Sequence, residues 1–201
     1  MSWMQTVSGM PVDLLDPKPE MILLGDIAHA LARIPRFCGH TVGDWPWNVA
    51  QHSLLVEQLM PDGTDAAGRL VALLHDAHEA YVGDLITPVK QAMNMIPRAS
   101  TYADPPAFAF SNIVSRLDRA IWKAFGMDPT AGILADVQTA DMLALAVEKE
   151  LLMADSRREW DSLPPLPDPM PSLRPAHPPS RAAEVFLDRF HVLQSERHGL
   201  K

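Results

Sequence analysis

Apolar residues return every three or four positions along most of this chain, while strict alternation of apolar and polar positions is scarce. That periodicity predicts helices and few strands. Helices are expected over residues 20–34, 49–60, 65–81, 88–95, 106–125, 129–160 with a break near Asp136, and 181–195. Punctuation agrees at several ends. Asn48 is suited to cap the second helix, with Gln51 three residues on as a loose capping-box partner. Thr87-Pro88 and Asp128-Pro129 read as N-cap and first-turn pairs, and Gly83 and Gly126 sit where helices should stop. The expected fold class is all-α, a helical bundle with no internal repeat.

From Leu163 to Pro179 the pattern changes, with eight prolines in 17 positions. No helix survives that density, so an extended connector over the surface is expected; a docking site for a polyproline-binding partner is the other reading. Beyond it, Val185, Phe186, Phe190 and Leu193 share one helix face. The chain thus divides into a body over 1–162, a connector over 163–180 and a last helix over 181–201, which packs on the same body or on a second subunit.

Polar residues that interrupt the apolar stripes carry the candidate chemistry. The stripe Leu70, Val71, Leu73, Leu74, Ala77, Ala80 and Tyr81 also holds His75, Asp76 and Glu79. On one helix Asp76 and Glu79 are an i, i+3 pair and His75 and Glu79 an i, i+4 pair, so all three can converge; a solvated polar stripe is the alternative. His52 falls near the start of its helix. Asp141 is set among Val137, Ala140, Leu143, Ala144, Val147 and Leu151, where a carboxylate is desolvated unless paired or bound to a cation. Two imidazoles and two carboxylates from three helices can hold one divalent metal. Glu79 is then placed to orient a water or to handle its proton. Arg36 offers a planar donor fork that matches phosphate oxygens, and Arg33 is the alternative one turn away. His40, His78 and His29 read as structural or surface histidines, with His78 the one that could extend the metal site.

The order His52, His75-Asp76, Asp141 resembles the HD-domain metal-dependent phosphohydrolase superfamily, and within it the bacterial 5'-deoxynucleotidases. The stretches that carry this are 48–53, 75–79 with 83–90, and Ala140-Asp141, and the similarity covers roughly residues 20–160. The resemblance implies an HD-type bundle with a divalent ion (Co, Mn, Mg, Zn or Fe) on His52, His75, Asp76 and Asp141. It implies that Glu79 and Asp84 are needed for activity and that Arg36 binds phosphate. It also implies substrate contacts at Thr87 and Lys90, and a homodimer. Phe37 stands where that family has a tryptophan that favours deoxyribose; Trp45 or Trp47 is the alternative lining. The implied reaction is phosphate release from nucleoside 5'-monophosphates, deoxyribonucleotides foremost. Alternatives are a triphosphohydrolase or phosphodiesterase on the same metal site, or a nucleotide-sensing module without turnover.

Composition narrows the partners. With 201 residues and 47% hydrophobic content the chain fits one domain with a sizeable core. No apolar run approaches the roughly 20 residues of a membrane span, and residues 1–9 lack the features of a secretory signal. A single cysteine, Cys38, excludes an internal disulfide and suits a reducing cytoplasm. A net charge of −8 without any Lys/Arg run argues against a nucleic-acid polymer. A small nucleotide remains compatible, because a metal and an arginine can make a local positive pocket. A zinc protease would need His-Glu-x-x-His, and this chain has His-Asp-x-His-Glu.

Overall fold

The computed structural model describes residues 2–95, 106–160, 162–173 and 175–199. Its architecture is all-α, as the periodicity predicts: α1 (Leu24–Leu31), α2 (Val49–Gln58), α3 (Ala66–Leu73), α4 (Glu79–Val82), α5 (Thr87–Met95), α6 (Pro106–Ala124), α7 (Ala131–Leu152) and α8 (Pro179–Arg197). A short antiparallel ribbon, β1 (Trp3–Gln5) with β2 (Pro11–Asp13), precedes them and pairs Met4 with Val12. The hydrophobic period does not predict this ribbon, because three residues per strand are too few to show alternation. Among the described residues no helix is long and apolar enough to cross a membrane.

Several helix boundaries differ from the sequence reading. The helix expected over 20–34 is a 3-10 turn at Pro19–Met21 followed by α1. The helix expected over 65–81 is interrupted between α3 and α4. Its hydrogen bonds tighten there to i→i−3, from His75 N to Ala72 O, Ala77 N to Leu74 O and Glu79 N to Asp76 O. His75 Nδ1 also donates to Ala72 O at 2.9 Å and competes for that carbonyl. His75 and Glu79 are therefore not one-turn neighbours on a regular helix. The expected break near Asp136 is absent, and α7 runs unbroken until Met153 turns extended, well before Trp160. Its cap is Thr130, whose hydroxyl accepts from Ile133 N, rather than Asp128. Gly83, with φ 76°, ends α4 as expected.

The core is closed by the last helix. Ala182, Phe186, Phe190 and Leu193 line one face of α8 and are buried with Ile27 and Leu31 of α1, Val56 of α2, and Leu70 and Leu73 of α3. Gly68 permits a close approach of α3 to α7, since a Cβ there would stand 3.0 Å from Ile133 Cδ1 and 2.8 Å from Thr64 Cγ2. A charged clasp ties three helices: buried Glu57 of α2 accepts from Arg69 of α3 at 2.8 Å and from Arg189 of α8 at 2.7 and 3.0 Å. α8 begins at Pro179, two residues earlier than the sequence predicts; before it the described residues of the connector form no helix or strand, and the connector is fastened to α2 through Gln51. That side chain donates to Pro175 O at 3.2 Å and accepts from His177 N at 3.1 Å.

Glu57→Gln leaves two guanidinium groups sharing a neutral amide, so it is expected to lower stability by about 2 kcal/mol. The two arginines keep partial solvent access, which limits the loss. Urea unfolding followed by circular dichroism measures it, and an unchanged midpoint would contradict the clasp.

Candidate metal centre

The backbone brings Arg36 and His52 together before any side chain is considered. Residues 34–36 pair antiparallel with 47–49, through Val49 N to Ile34 O at 3.0 Å and Arg36 N to Trp47 O at 2.8 Å. Asn48 then caps α2 by accepting from Gln51 N at 3.1 Å. That cap fixes the first turn, in which His52 N bonds Asn48 O. Opposite, α7 presents Asp141 and Glu148, seven residues apart and so on one helix face. After Arg36, Phe37 and Cys38 both adopt φ 53°, a left-handed pair that non-glycine residues rarely take. Such strain persists only where the surroundings over-determine it.

His52, His75 and Asp76 each bring one ligand atom within 4.8 Å of the others. Asp76 Oδ2 lies 3.1 Å from His75 Nε2 and 3.6 Å from His52 Nε2. Asp141 Oδ1, on the more exposed side, lies 3.1 Å from His52 Nε2 and 3.9 Å from His75 Nε2. Each ring's other nitrogen is already committed as a donor, His52 Nδ1 to Glu148 Oε1 at 2.7 Å and His75 Nδ1 to Ala72 O. A neutral imidazole that donates from Nδ1 carries a lone pair on Nε2. Both Nε2 atoms are buried without an aligned hydrogen bond, and so are Glu79 Oε2, Asp84 Oδ2 and Arg36 Nε. Lone pairs facing carboxylate oxygens need a positive charge between them, and this buried His/Asp cluster could hold a metal ion.

The electrostatics express the same surplus of negative charge. Burial and the Arg36 charge push the His52 pKa down, but Glu148 and Asp141 outweigh them and leave it raised to about 9. Burial is likewise overcome at His75 by Asp76 and Asp141, and its pKa also rises to about 9. Burial alone would raise Asp76, yet His75 and His52 hold its carboxyl far below the usual range. Glu79 moves the other way: burial, with Asp76 and Asp84 adding to it, pushes it up to about 9. Burial also raises Asp84, against the pull of Arg36. A divalent cation on the Nε2 atoms would meet the charge that protons otherwise meet here.

No family model matches this chain. It is 36% identical over 206 residues to an uncharacterized protein of Rhodobacter capsulatus, and the match covers 98% of each chain. It is also 30% identical over 198 residues to the uncharacterized protein YfdR of Escherichia coli K12, again over 98% of each. The chain belongs to the YfdR family. Both matches span the whole length over which the cluster is assembled, from α2 to α7.

Not every candidate residue reaches the cluster. Arg36 does, with Nη2 3.2 Å from Glu148 Oε2 and Nη1 4.0 Å from Asp84 Oδ2. Arg33 instead donates to His29 O and ends α1. Phe37 packs its ring edge-on to Trp160 at 6.0 Å, with the Arg36 guanidinium 5.4 Å from the ring centroid. Thr87 is exposed at the start of α5, and the Lys90 ammonium lies 6.0 Å from the Phe110 ring. His40 is exposed. His78 bonds Asp118 at 3.0 Å and, with Asp76 and Glu79, forms a second set of ligand atoms within 4.8 Å. Trp45 and Trp47 line a cavity of about 640 Å³ with Leu152, Met170 and Leu173, which none of His52, His75, Asp76 and Asp141 borders. Sequence reasoning missed Glu148, which is fully buried. Its signal was the seven-residue spacing from Asp141, hidden because Glu148-Lys149-Glu150 reads as a solvated charge run.

Isothermal titration of Co(II) into the purified protein is expected to show saturable binding. His75→Ala should weaken it beyond the roughly 10–100-fold typical of changes outside the ligand set. Equal affinity in wild type and His75→Ala would exclude this cluster as the site.

Proposed function

We propose that this protein is a metal-dependent phosphohydrolase that releases phosphate from nucleoside 5'-monophosphates, deoxyribonucleotides foremost. The observation that carries the reading is the convergence of His52 and His75 Nε2 with Asp76 and Asp141, beside an arginine and two buried carboxyl oxygens, Glu79 Oε2 and Asp84 Oδ2, that accept no hydrogen bond. His52, His75, Asp76 and Asp141 would hold the ion, which when bound supplies Lewis acidity toward a phosphoryl oxygen and a means of ionising water at neutral pH. Arg36 is anchored through Nη2 to Glu148, which leaves its Nε and Nη1 donors for phosphate oxygens. In hydrolysis a water oxygen bonds to phosphorus, the bond to the 5'-oxygen breaks, and that oxygen leaves as the alcohol. Glu79, whose raised pKa keeps it protonated in the metal-free cluster, would ionise beside a bound cation and there accept the water's proton at Oε2. Asp84 Oδ2, next to Arg36, is the second acid of the site. The substrate class comes from the resemblance of 48–53 and 75–90 to the 5'-deoxynucleotidases, and the net charge of −8 favours a small nucleotide over a polymer.

A panel of phosphorylated metabolites, each assayed for inorganic phosphate with Co(II), Mn(II), Mg(II), Zn(II) or Fe(II), tests the proposal. Deoxynucleoside 5'-monophosphates are expected to yield phosphate, with Glu79→Gln slower by about 10²-fold or more. Arg36→Lys should raise KM more than it lowers kcat. No phosphate from any nucleotide with any metal would refute the proposal, and triphosphate or a nucleotide as product would replace it with a neighbouring phosphoester reaction.

A further inference from the structure

Glu148 lies outside the ligand set, yet its carboxylate meets three donors at once. Oε1 accepts from His52 Nδ1 at 2.7 Å and from Trp47 Nε1 at 2.8 Å, and Oε2 accepts from Arg36 Nη2 at 3.2 Å. The residue is fully buried, so no water replaces any of these partners. Seven residues earlier on the same face of α7, Asp141 approaches the opposite nitrogen of the same imidazole. The His52 ring is therefore bracketed along α7, with its proton drawn to Nδ1 by Glu148 and its lone pair turned toward the ligand cluster.

We infer that Glu148 is the positioning residue of the site: it fixes His52 as the Nδ1–H tautomer for metal binding and, through its second oxygen, holds Arg36 beside the same ion. Metal binding and anion binding are thereby coupled through one side chain that touches neither ligand. The inference rests on the metal-binding reading of the cluster. A purely architectural acid would behave otherwise, since its loss would cost stability alone.

Glu148→Gln discriminates because an amide cannot serve all three donors. If its NH2 faces His52 it must donate to Nδ1, which moves the imidazole proton onto Nε2 and blocks the ligand atom. If its NH2 faces Arg36, donor meets donor and the guanidinium loses its anchor.

The test titrates Co(II) alone into wild type, Glu148→Gln and Glu57→Gln, reading the cobalt d–d absorbance and calorimetric affinity. It then titrates inorganic phosphate into the cobalt-loaded proteins. Glu148→Gln is expected to lose about 10–100-fold in metal affinity or in phosphate affinity, whereas Glu57→Gln, destabilised on the same helix as His52, should match wild type in both. Wild-type binding with both affinities unchanged in Glu148→Gln would overturn the inference while leaving the metal site standing. Failure of wild type to bind Co(II) would remove both. Nitrogen-15 NMR of the wild-type histidines needs no variant: a protonated Nδ1 and an unprotonated Nε2 on His52 in the cobalt-free, diamagnetic zinc-loaded protein is expected, and the opposite tautomer would refute the assignment.

Discussion

The imidazoles of His52 and His75 have each committed Nδ1 to a hydrogen bond, and each turns Nε2 toward a carboxylate oxygen 3.1 Å away. Lone pair set against lone pair in a buried place repels unless a proton or a cation stands between them. That constraint accounts for the rest of the site. It explains why two histidines rise in pKa while a neighbouring aspartate falls; Glu79 rises because it is buried, with the Asp76 and Asp84 charges adding to the effect. Arg36 offsets part of the surplus from one flank, and Glu148 draws it close to the cluster.

The scaffold serves this arrangement through short backbone devices. A two-residue bridge between Pro35 and Asn48 sets Arg36 beside the start of α2, and the Asn48 cap fixes the turn that carries His52. The interruption between α3 and α4 lets His75 satisfy a carbonyl with its own ring, which frees Nε2 for the cluster. Behind α2, Glu57 clasps α3 and α8, so the helix that offers His52 is held from the side away from the chemistry.

Much of this was legible in the order of residues. Asp141 is conspicuous because a carboxylate amid Val137, Ala140 and Ala144 has few uses, and those three neighbours are indeed buried. The apolar stripe from Leu70 to Tyr81 also gives most of the buried set although no continuous helix carries it, since a tight turn keeps nearly the same facing as a helical one; Ala80 is only partly buried, and Ala72, outside the stripe, is fully so. What stayed hidden depends on contacts across the fold. Glu148 sits in a charge-rich stretch, and only its meeting with His52, Trp47 and Arg36, each about a hundred residues away in sequence, reveals it as buried. Thr87 and Lys90 follow Asp84 closely in sequence, and in the fold Lys90 acts electrostatically on the Asp84 carboxylate while Thr87 stands exposed at the start of α5.

The contact between α1 and α8 joins segments separated by most of the polypeptide. Bringing such remote stretches together costs loop entropy before the buried aromatic face of α8 returns any stabilisation. A bundle of consecutive helical hairpins avoids that delay; this topology does not. The architecture therefore gives up local pairing for a floor beneath α1, α2 and α3 that is drawn from the far end of the polypeptide.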